Sequence, residues 1–318
     1  MPYRHLFGPV ASRRLGFSLG VDLLPFKTCT FNCVYCECGP TTSLTLNRRE
    51  YIRAEDVIPE LEDLLAHPPY MDRITFSGSG EPTLSTAIGK VLEYLDVQHP
   101  QYPAAVLTNG SLLWQQRVRE EISRADLVLP TLTTVNAETF RRIHRPHPAL
   151  SLEKILEGLV LFRREFGGEI WLEVFLVPPL NTSREELEGL QSAIARISPD
   201  RVQLNTLDRP CAEAWVHPAS MDEMAEAKSI LDFEPIDILT RATRPHRAER
   251  ASCAGDTIRE TLLRRPCTIE DLVRITGLHE GEVAKLLDGL CDEGVVEARS
   301  VGDGVFYCLR ERRTEKPR

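Results

Sequence analysis

Three cysteines lie within eight residues of this chain, at Cys29, Cys33 and Cys36, shortly after an apolar run at residues 19–24. Thiolates this close can converge on one soft metal centre, either an iron–sulfur cluster or zinc. A structural zinc site usually takes four protein ligands in two separated pairs, so a single triad favours the cluster. A cubane cluster has four irons, and three thiolates leave one iron open. A disulfide is not expected, because it would leave the third thiol unpaired. The amino terminus also lacks a secretory pattern that would indicate an oxidising compartment.

Two polar turns follow apolar, strand-like segments further along the chain. The first turn covers residues 77–82 and is rich in glycine, and the second covers residues 108–110. Glycine has no Cβ, so a glycine-rich turn lets the backbone approach a ligand closely. Each turn alone is typical of an ordinary strand-to-helix connection. Their order and spacing after the cysteine triad favour one shared ligand site.

The spacing CxxxCxxC, with the aromatic residue Tyr35 directly before the third cysteine, resembles the signature of the radical S-adenosylmethionine (SAM) superfamily. The turn at residues 77–82 is similar to the GGEP motif of that family, with Ser79 in place of the first glycine. Residues 108–110 resemble the TNG segment of the same family. The resemblance therefore rests on three separate segments in the expected order.

This resemblance implies a [4Fe-4S] cluster held by Cys29, Cys33 and Cys36, with SAM bound at the open iron. In this family an external one-electron reductant, of the flavodoxin or ferredoxin type, reduces the cluster, and SAM is cleaved to a 5'-deoxyadenosyl radical. The chemistry belongs to the cofactor, which the protein positions. The residues expected around SAM are Tyr35, Ser77, Gly78, Ser79, Gly80, Glu81, Pro82, Thr108, Asn109 and Gly110.

Residues 6–20 resemble a GPVxSRRLGxSLG segment that precedes the triad in a radical SAM subgroup related to the wyosine-tRNA enzymes. Arg13 and Arg14 in this segment would bind an anionic group of the substrate or form a structural ion pair. The wyosine enzymes of this type carry a second cluster, whereas this chain has no second compact triad. An auxiliary cluster is the weaker alternative, and its ligands would be Cys38, Cys211 and Cys253.

Apolar segments alternate with helical patterns between residues 19 and 231. This strict alternation predicts a parallel sheet with right-handed crossovers. The resemblance specifies the α/β fold further, as a partial (βα)6, TIM-like barrel of the radical SAM type, with its ligands at the carboxyl ends of the strands. Strands are predicted at residues 19–24, 73–77, 104–108, 126–132, 169–177 and 201–207. Helices are predicted at residues 54–66, 84–97, 112–124, 152–166 and 184–197.

Polar residues in the later segments could face the same cavity. Glu173 lies in an otherwise apolar strand, where a carboxylate is costly unless it is paired or meets water. It is expected either to line the site or to face solvent or a buried arginine. His144 and His147 are expected at a capped helix end, with solvated imidazoles.

The composition of the chain changes near residue 240, where a basic stretch interrupted by proline begins. We predict a core domain at residues 1–240, a basic linker at 241–253, a small winged helix-turn-helix domain at 254–311 and a flexible tail at 312–318. Helices are predicted at 256–265, 268–276 and 279–293, and a hairpin joins 295–300 to 305–309. Thr268 and Asp271 are a predicted capping box. The apolar face of the third helix is predicted from Val283, Leu286, Leu287 and Leu290.

The third of these helices is a poor surface for nucleic acid. It offers Glu280, Glu282 and Asp288 beside His279 and Lys285. Residues 251–318 contain 11 Lys and Arg against 13 Asp and Glu, a formal charge of −2. Because DNA binding needs a basic footprint, docking of a protein or peptide partner, or a lid role, is preferred.

The chain has 318 residues, a formal charge of −9 and no apolar run long enough to span a membrane, and its scattered cysteines suit a reducing cytoplasm. The first hypothesis is a radical SAM enzyme whose substrate is unknown, either a tRNA base or a peptide or protein side chain. The alternative is an iron–sulfur redox-sensing regulator that acts through the winged helix. The glycine-rich and TNG-like turns disfavour the regulator, because a sensor needs no SAM site.

Overall fold

A mostly parallel sheet of eight strands organises the larger part of the protein. The computed structural model describes residues 3–12, 14–239, 254–301 and 304–310, and the chain divides into two compact units near residue 242. The strands are β1 (Leu6–Ser12), β2 (Gly16–Val21), β3 (Thr28–Cys29), β4 (Ser43–Leu44), β5 (Arg73–Phe76), β6 (Ala104–Thr108), β7 (Leu127–Pro130), β8 (Glu169–Leu176), β9 (Arg201–Thr206), β10 (Ile236–Ile238), β11 (Val296–Val301) and β12 (Gly304–Leu309). The helices are α1 (Ala54–Ala66), α2 (Ile88–Gln98), α3 (Gln116–Glu121), α4 (Ala137–His144), α5 (Leu152–Glu165), α6 (Arg184–Ile197), α7 (Met221–Leu231), α8 (Ala254–Arg264), α9 (Ile269–Thr276) and α10 (Glu280–Asp292).

The strand order in the large sheet is β1-β2-β5-β6-β7-β8-β9-β10, with β1 antiparallel to β2 and the remaining neighbours parallel. The six predicted strands correspond to β2 and β5 to β9. Strands β1 and β10 and helices α4 and α7 were not predicted. Parallel strands joined by helices all point the same way, so their carboxyl ends meet at one edge of the sheet.

The two faces of the sheet carry different residues. Leu172, Val174 and Leu204 point to the face that packs on the helices and belong to the main apolar core. Glu173 and Gln203, which are paired in the ladder between β8 and β9, alternate with them and point to the other face. The polar residues of these strands therefore lie on the inner face, opposite the helices.

The second unit has its own apolar core. Helices α8, α9 and α10 and the antiparallel pair β11–β12 supply its buried residues, which are Ile258, Leu262, Cys267, Leu272, Val283, Leu287, Leu290 and Val296. The predicted capping box of α9 is confirmed, with reciprocal bonds between Thr268 and Asp271. Leu286 is an exception to the predicted face of α10, because it is 36% exposed. The predicted linker and tail lie outside the described residues, as does residue 311.

Among the helices of the described residues, none is both long enough and apolar enough to cross a bilayer.

Asn181 fixes the connection that follows β8. Its fully buried side chain accepts a hydrogen bond from Val177 N (2.7 Å) and donates to the carbonyl oxygens of Thr133 and Phe175 (2.8 Å each). Asn181→Leu keeps the branched shape of the side chain but leaves these buried groups unpaired, so we expect a loss of at least about 3 kcal/mol in the free energy of unfolding. Asn136→Ala removes only the exposed cap of α4 and should cost about 1 kcal/mol. Urea unfolding measures both, and equal losses would contradict this account.

Candidate functional site

The segment that carries the cysteine triad is held against the carboxyl end of α4. Asn32 N donates to His144 O and Val34 N donates to Ile143 O, both at 2.9 Å. The last carbonyl groups of a helix have no partner within the helix, so an adjacent loop can satisfy them. Helix α4 thus fixes the backbone on both sides of the second cysteine, Cys33.

Each cysteine of the triad has a nitrogen donor close to its sulfur atom. The first pair is Lys27 and Cys36, with Nζ 3.0 Å from Sγ. Lys27 is 2% exposed, which is unusual for a lysine. Burial lowers the pKa of Lys27, but Cys36 together with the nearby Cys38 and Cys29 raises it by more. The ammonium group is therefore retained inside the protein beside the third cysteine.

The second pair is His144 and Cys33, with Nδ1 3.2 Å from Sγ. The expectation that His144 has a solvated imidazole is wrong, because the residue is only 3% exposed. Burial lowers the pKa of His144 to about 3, so the ring is neutral. Thr133 Oγ1 lies 2.6 Å from Nε2, and a hydroxyl that donates there leaves the ring proton on Nδ1, directed at Cys33. His147 is half-buried.

The third pair is Asn109 and Cys29, with Nδ2 3.6 Å from Sγ. The same nitrogen donates to Thr30 Oγ1 at 2.8 Å, which orients the amide. Asn109 belongs to the second predicted SAM turn, and its side chain reaches from that turn to the first cysteine. The TNG-like turn and the triad are therefore contiguous in space.

The three thiols differ in acidity. Burial raises the pKa of Cys29 to about 12 and also raises the pKa of Cys33. The pKa of Cys36 is lowered to about 5, first by a hydrogen bond with Cys38 and then, against the effect of burial, by the Lys27 ammonium. Cys36 is accordingly the thiol best prepared to bind metal as a thiolate.

Glu81 joins the two predicted SAM turns. Its Oε1 accepts bonds from Thr83 N (3.1 Å) and from the hydroxyls of Thr83 and Thr108 (2.6 Å each), and its Oε2 accepts from Asn109 N (2.7 Å). Its own backbone N donates to Thr28 O at 3.2 Å, next to the first cysteine. Burial raises the pKa of Glu81, and these hydrogen bonds oppose that shift.

The glycines of the first turn serve internal packing. A Cβ on Gly80 would lie 2.1 Å from Thr28 O, and one on Gly78 would lie 2.3 Å from Asp22 Cγ. Ser79 reinforces this contact, since its backbone N and hydroxyl both lie 3.3 Å from Asp22 Oδ2. The two glycines allow the turn to approach Asp22, directly after β2, and the cysteine segment; their expected approach to a ligand stays a prediction.

Tyr35 stacks on Phe175 of β8, with ring centroids 4.1 Å apart and planes 16° from parallel. Its ring also meets His144 edge-on at 5.8 Å. Burial raises the pKa of its hydroxyl, and the nearby Cys33 and Glu173 raise it further. Tyr35 therefore connects the triad to the polar inner face of β8.

Glu173 is buried on that inner face and has an arginine partner. Its carboxylate lies 2.8 Å from Arg14 Nη1 and accepts from Thr131 Oγ1 (2.7 Å) and Asn205 Nδ2 (2.9 Å). The ion-pair alternative therefore holds for Arg14, while Arg13 lies outside the described residues. Two buried oxygens nearby, Gln203 Oε1 and Asn205 Oδ1, have no hydrogen-bond partner among the described residues.

Two further cysteines of the first unit, Cys38 and Cys211, were considered as ligands of an auxiliary cluster. Cys38 Sγ lies 3.9 Å from Gly78 O, between the cysteine segment and the first turn. Cys211 donates to Glu213 O at 3.3 Å. The eight cysteines of the described residues are free thiols, and Cys253 falls outside that part of the chain.

The family model of the radical SAM superfamily matches residues 23–190, more than half of the chain. The chain belongs to this superfamily. The radical SAM match spans the triad, both turns and strands β5 to β8 with their helices.

Two curated relatives and one solved structure extend the comparison. The chain is 36% identical over 309 residues to a protein named GTPase Obg from Brachyspira hyodysenteriae, but it spans only 45% of that protein's length. It is 35% identical over 228 residues to a UPF0026 protein from Methanocaldococcus jannaschii, covering 71% of this chain and 70% of the relative. A radical SAM methyltransferase from Sphaerobacter thermophilus has a TM-score of 0.53 at 17% identity, covering 72% of this chain and 67% of that one, which shows a shared fold.

The cofactors of this radical SAM protein are a [4Fe-4S] cluster and SAM. Among the described residues, no three His, Cys, Asp or Glu side chains are gathered around a single metal ion. A cubane cluster differs, because each thiolate binds a different iron and the sulfur atoms stand apart. Three half-buried cysteines, each with a nitrogen donor beside its sulfur atom, suit such a cluster, since hydrogen bonds to the sulfurs stabilise its negative charge.

The raised pKa of Glu81 has a measurable consequence for the cluster-free protein. The native state keeps the proton at pH values where the unfolded chain has released it, so stability falls as pH rises above the ordinary glutamate pKa of 4.5. Glu81→Gln cannot titrate, and its free energy of unfolding should decline less between about pH 5 and pH 7. Urea unfolding at several pH values tests this prediction, and parallel curves for the two proteins would contradict it.

Proposed function

We propose that this protein is an enzyme that holds its [4Fe-4S] cluster through Cys29, Cys33 and Cys36 and reductively cleaves SAM to form a 5'-deoxyadenosyl radical. The observation that carries the proposal is the convergence of the triad with the Glu81-linked turns. When bound, the cluster supplies the electron that breaks a carbon–sulfur bond of SAM. The residues around it bind and orient both cofactors.

The two turns and Tyr35 are proposed to hold SAM. Glu81 fixes Thr108 and Asn109 by hydrogen bonds, so the second turn cannot shift without the first. Asn109 Nδ2 reaches toward Cys29 from this turn. The SAM residues in the proposal are Tyr35, Ser77, Gly78, Ser79, Gly80, Glu81, Pro82, Thr108, Asn109 and Gly110.

The inner face of β8 and β9 is proposed to face the substrate. Gln203 Oε1 and Asn205 Oδ1 are buried acceptors that the described residues leave unpaired, which suits a group with N–H or O–H donors. The N-terminal segment resembles that of the wyosine-related subgroup, and a tRNA base or a peptide side chain is the proposed target. An external one-electron reductant of the flavodoxin or ferredoxin type completes the reaction.

The larger unit is proposed to form a partial (βα)6 barrel, and the second unit a winged helix. Three helices followed by the hairpin β11–β12 support the latter. Glu280 and Glu282 in the first turn of α10 favour a protein partner over DNA. We place the protein in the cytoplasm because its described cysteines are free thiols. The SAM turns favour the enzyme over an iron–sulfur regulator, which would not need them.

Anaerobic reconstitution with iron and sulfide tests the proposed activity. We expect a [4Fe-4S] absorbance spectrum, a change in the EPR signal of the reduced cluster on adding SAM, and release of 5'-deoxyadenosine with dithionite. Cys33→Ala should lose the cluster and the activity, whereas Cys267→Ala, in the separate core of the second unit, should keep both. A full cluster in Cys33→Ala would refute the ligand assignment.

Deletion of residues 251–318 tests whether the second unit contributes to the chemistry. The triad and both turns lie in the first unit, which has its own core. Because the contacts that fix the triad and the turns all lie within the first unit, we expect the shortened protein to assemble the cluster and to cleave SAM at a rate close to that of the full chain. Loss of SAM cleavage with a soluble, folded product would show that the second unit helps to build the site.

A further inference from the structure

We propose that the buried ammonium of Lys27 raises the reduction potential of the cluster and so brings the first electron transfer within reach of a protein reductant. This inference rests on the proposed function, since it requires a cluster on the triad. It concerns a residue that no part of the superfamily resemblance singled out. Lys27 would act through the cluster, by favouring its reduced form, and is not itself a catalytic residue.

The backbone around Lys27 directs its side chain into the protein. Its φ of +56° lies in the left-handed region, which a residue with a Cβ adopts only at a cost in free energy. Its carbonyl oxygen accepts bonds from Thr42 N (3.2 Å) and Ser43 N (3.1 Å), which hold this conformation. The fold thus maintains an unfavourable backbone conformation at the position that buries a charged side chain next to the triad.

Among the described residues, no ion pair with a carboxylate explains the burial of Lys27. Within the described residues its Nζ makes one hydrogen bond, to Cys36 Sγ at 3.0 Å, and no ion pair. Burying an ammonium is costly unless it is paired, and Cys36 Sγ is its one hydrogen-bond partner among the described residues. A cluster bound by three thiolates carries net negative charge and would strengthen that pairing.

Lys27 differs in charge from the other two donors. His144, an imidazole with the Thr133 hydroxyl on its other nitrogen, lies beside Cys33, and Asn109, an uncharged amide, lies beside Cys29. Hydrogen bonds to the sulfurs and nearby charge both set the potential of iron–sulfur clusters. In the step [4Fe-4S]²⁺ + e⁻ → [4Fe-4S]⁺ the electron comes from the external reductant and no bond breaks, so a fixed positive charge favours the reduced form.

Substitutions at position 27 can separate charge from hydrogen bonding. Lys27→Met removes both, Lys27→Gln keeps an N–H donor without charge, and Lys27→Arg keeps the charge. Lys228→Met is the matched control, because Lys228 donates to Ile236 O at 3.1 Å, away from the triad. Iron and sulfide content and absorbance establish that each protein holds a full cluster before its potential is measured.

The midpoint potential is then measured by EPR-monitored redox titration without SAM. For Lys27→Met and Lys27→Gln we expect at least a tenfold lower ratio of reduced to oxidised cluster at a fixed potential, a shift of about −59 mV for one electron. Lys27→Arg and Lys228→Met should stay close to the unchanged protein. Cleavage of SAM by the Met and Gln variants should fall about tenfold with reduced flavodoxin and recover with the stronger reductant titanium(III) citrate.

The outcomes separate this inference from the proposed function. An unchanged midpoint in fully loaded Lys27→Gln overturns the role of Lys27 while leaving the enzyme intact. Absence of a cluster in the unchanged protein refutes the proposed function itself. If Lys27→Met fails to load, the Gln and Arg variants decide, and a potential that is equally low in both would show that charge is not the cause.

Discussion

The carboxylate of Glu81 is the interaction on which the rest of the site depends. It accepts two hydrogen bonds from Thr83 and one each from Thr108 and Asn109, so it joins the turns after β5 and β6. Its backbone N–H binds Thr28 O beside the first cysteine. One buried acid therefore sets the relative position of three separate segments, and removing it would leave several buried donors unpaired.

A second constraint comes from the carboxyl end of α4. That helix begins at the Asn136 cap and ends at Arg145, whose φ is +42°. Its last carbonyl groups accept the N–H groups of Asn32 and Val34, so the helix end that would otherwise need water is completed by the cysteine segment. The same contact buries His144 against Cys33. The carboxyl end of α4 therefore both supports the cysteine segment and places His144 beside Cys33.

Much of the fold could be predicted from sequence because strands and long helices have strong periodic patterns; α1 and α6 begin and end where predicted. The eight-residue α4 was missed because its pattern is short and rich in arginine. Burial of His144 depends on Cys33 and Thr133, which are distant in sequence, so a local pattern could not reveal it. Glu173 could be recognised as unusual in an apolar strand, but its partner Arg14 comes from the other end of the sheet order.

The buried charges of the first unit show why the site suits a cluster. Glu173 is balanced by Arg14, and Glu81 is satisfied by hydroxyl and backbone donors. Lys27 is different, because the one hydrogen bond of its ammonium among the described residues goes to a cysteine sulfur. An anionic cluster at the triad would strengthen this pairing, so cluster binding would offset more of the cost of burying the lysine. Lys27 would therefore link cluster binding to the stability of the cysteine segment.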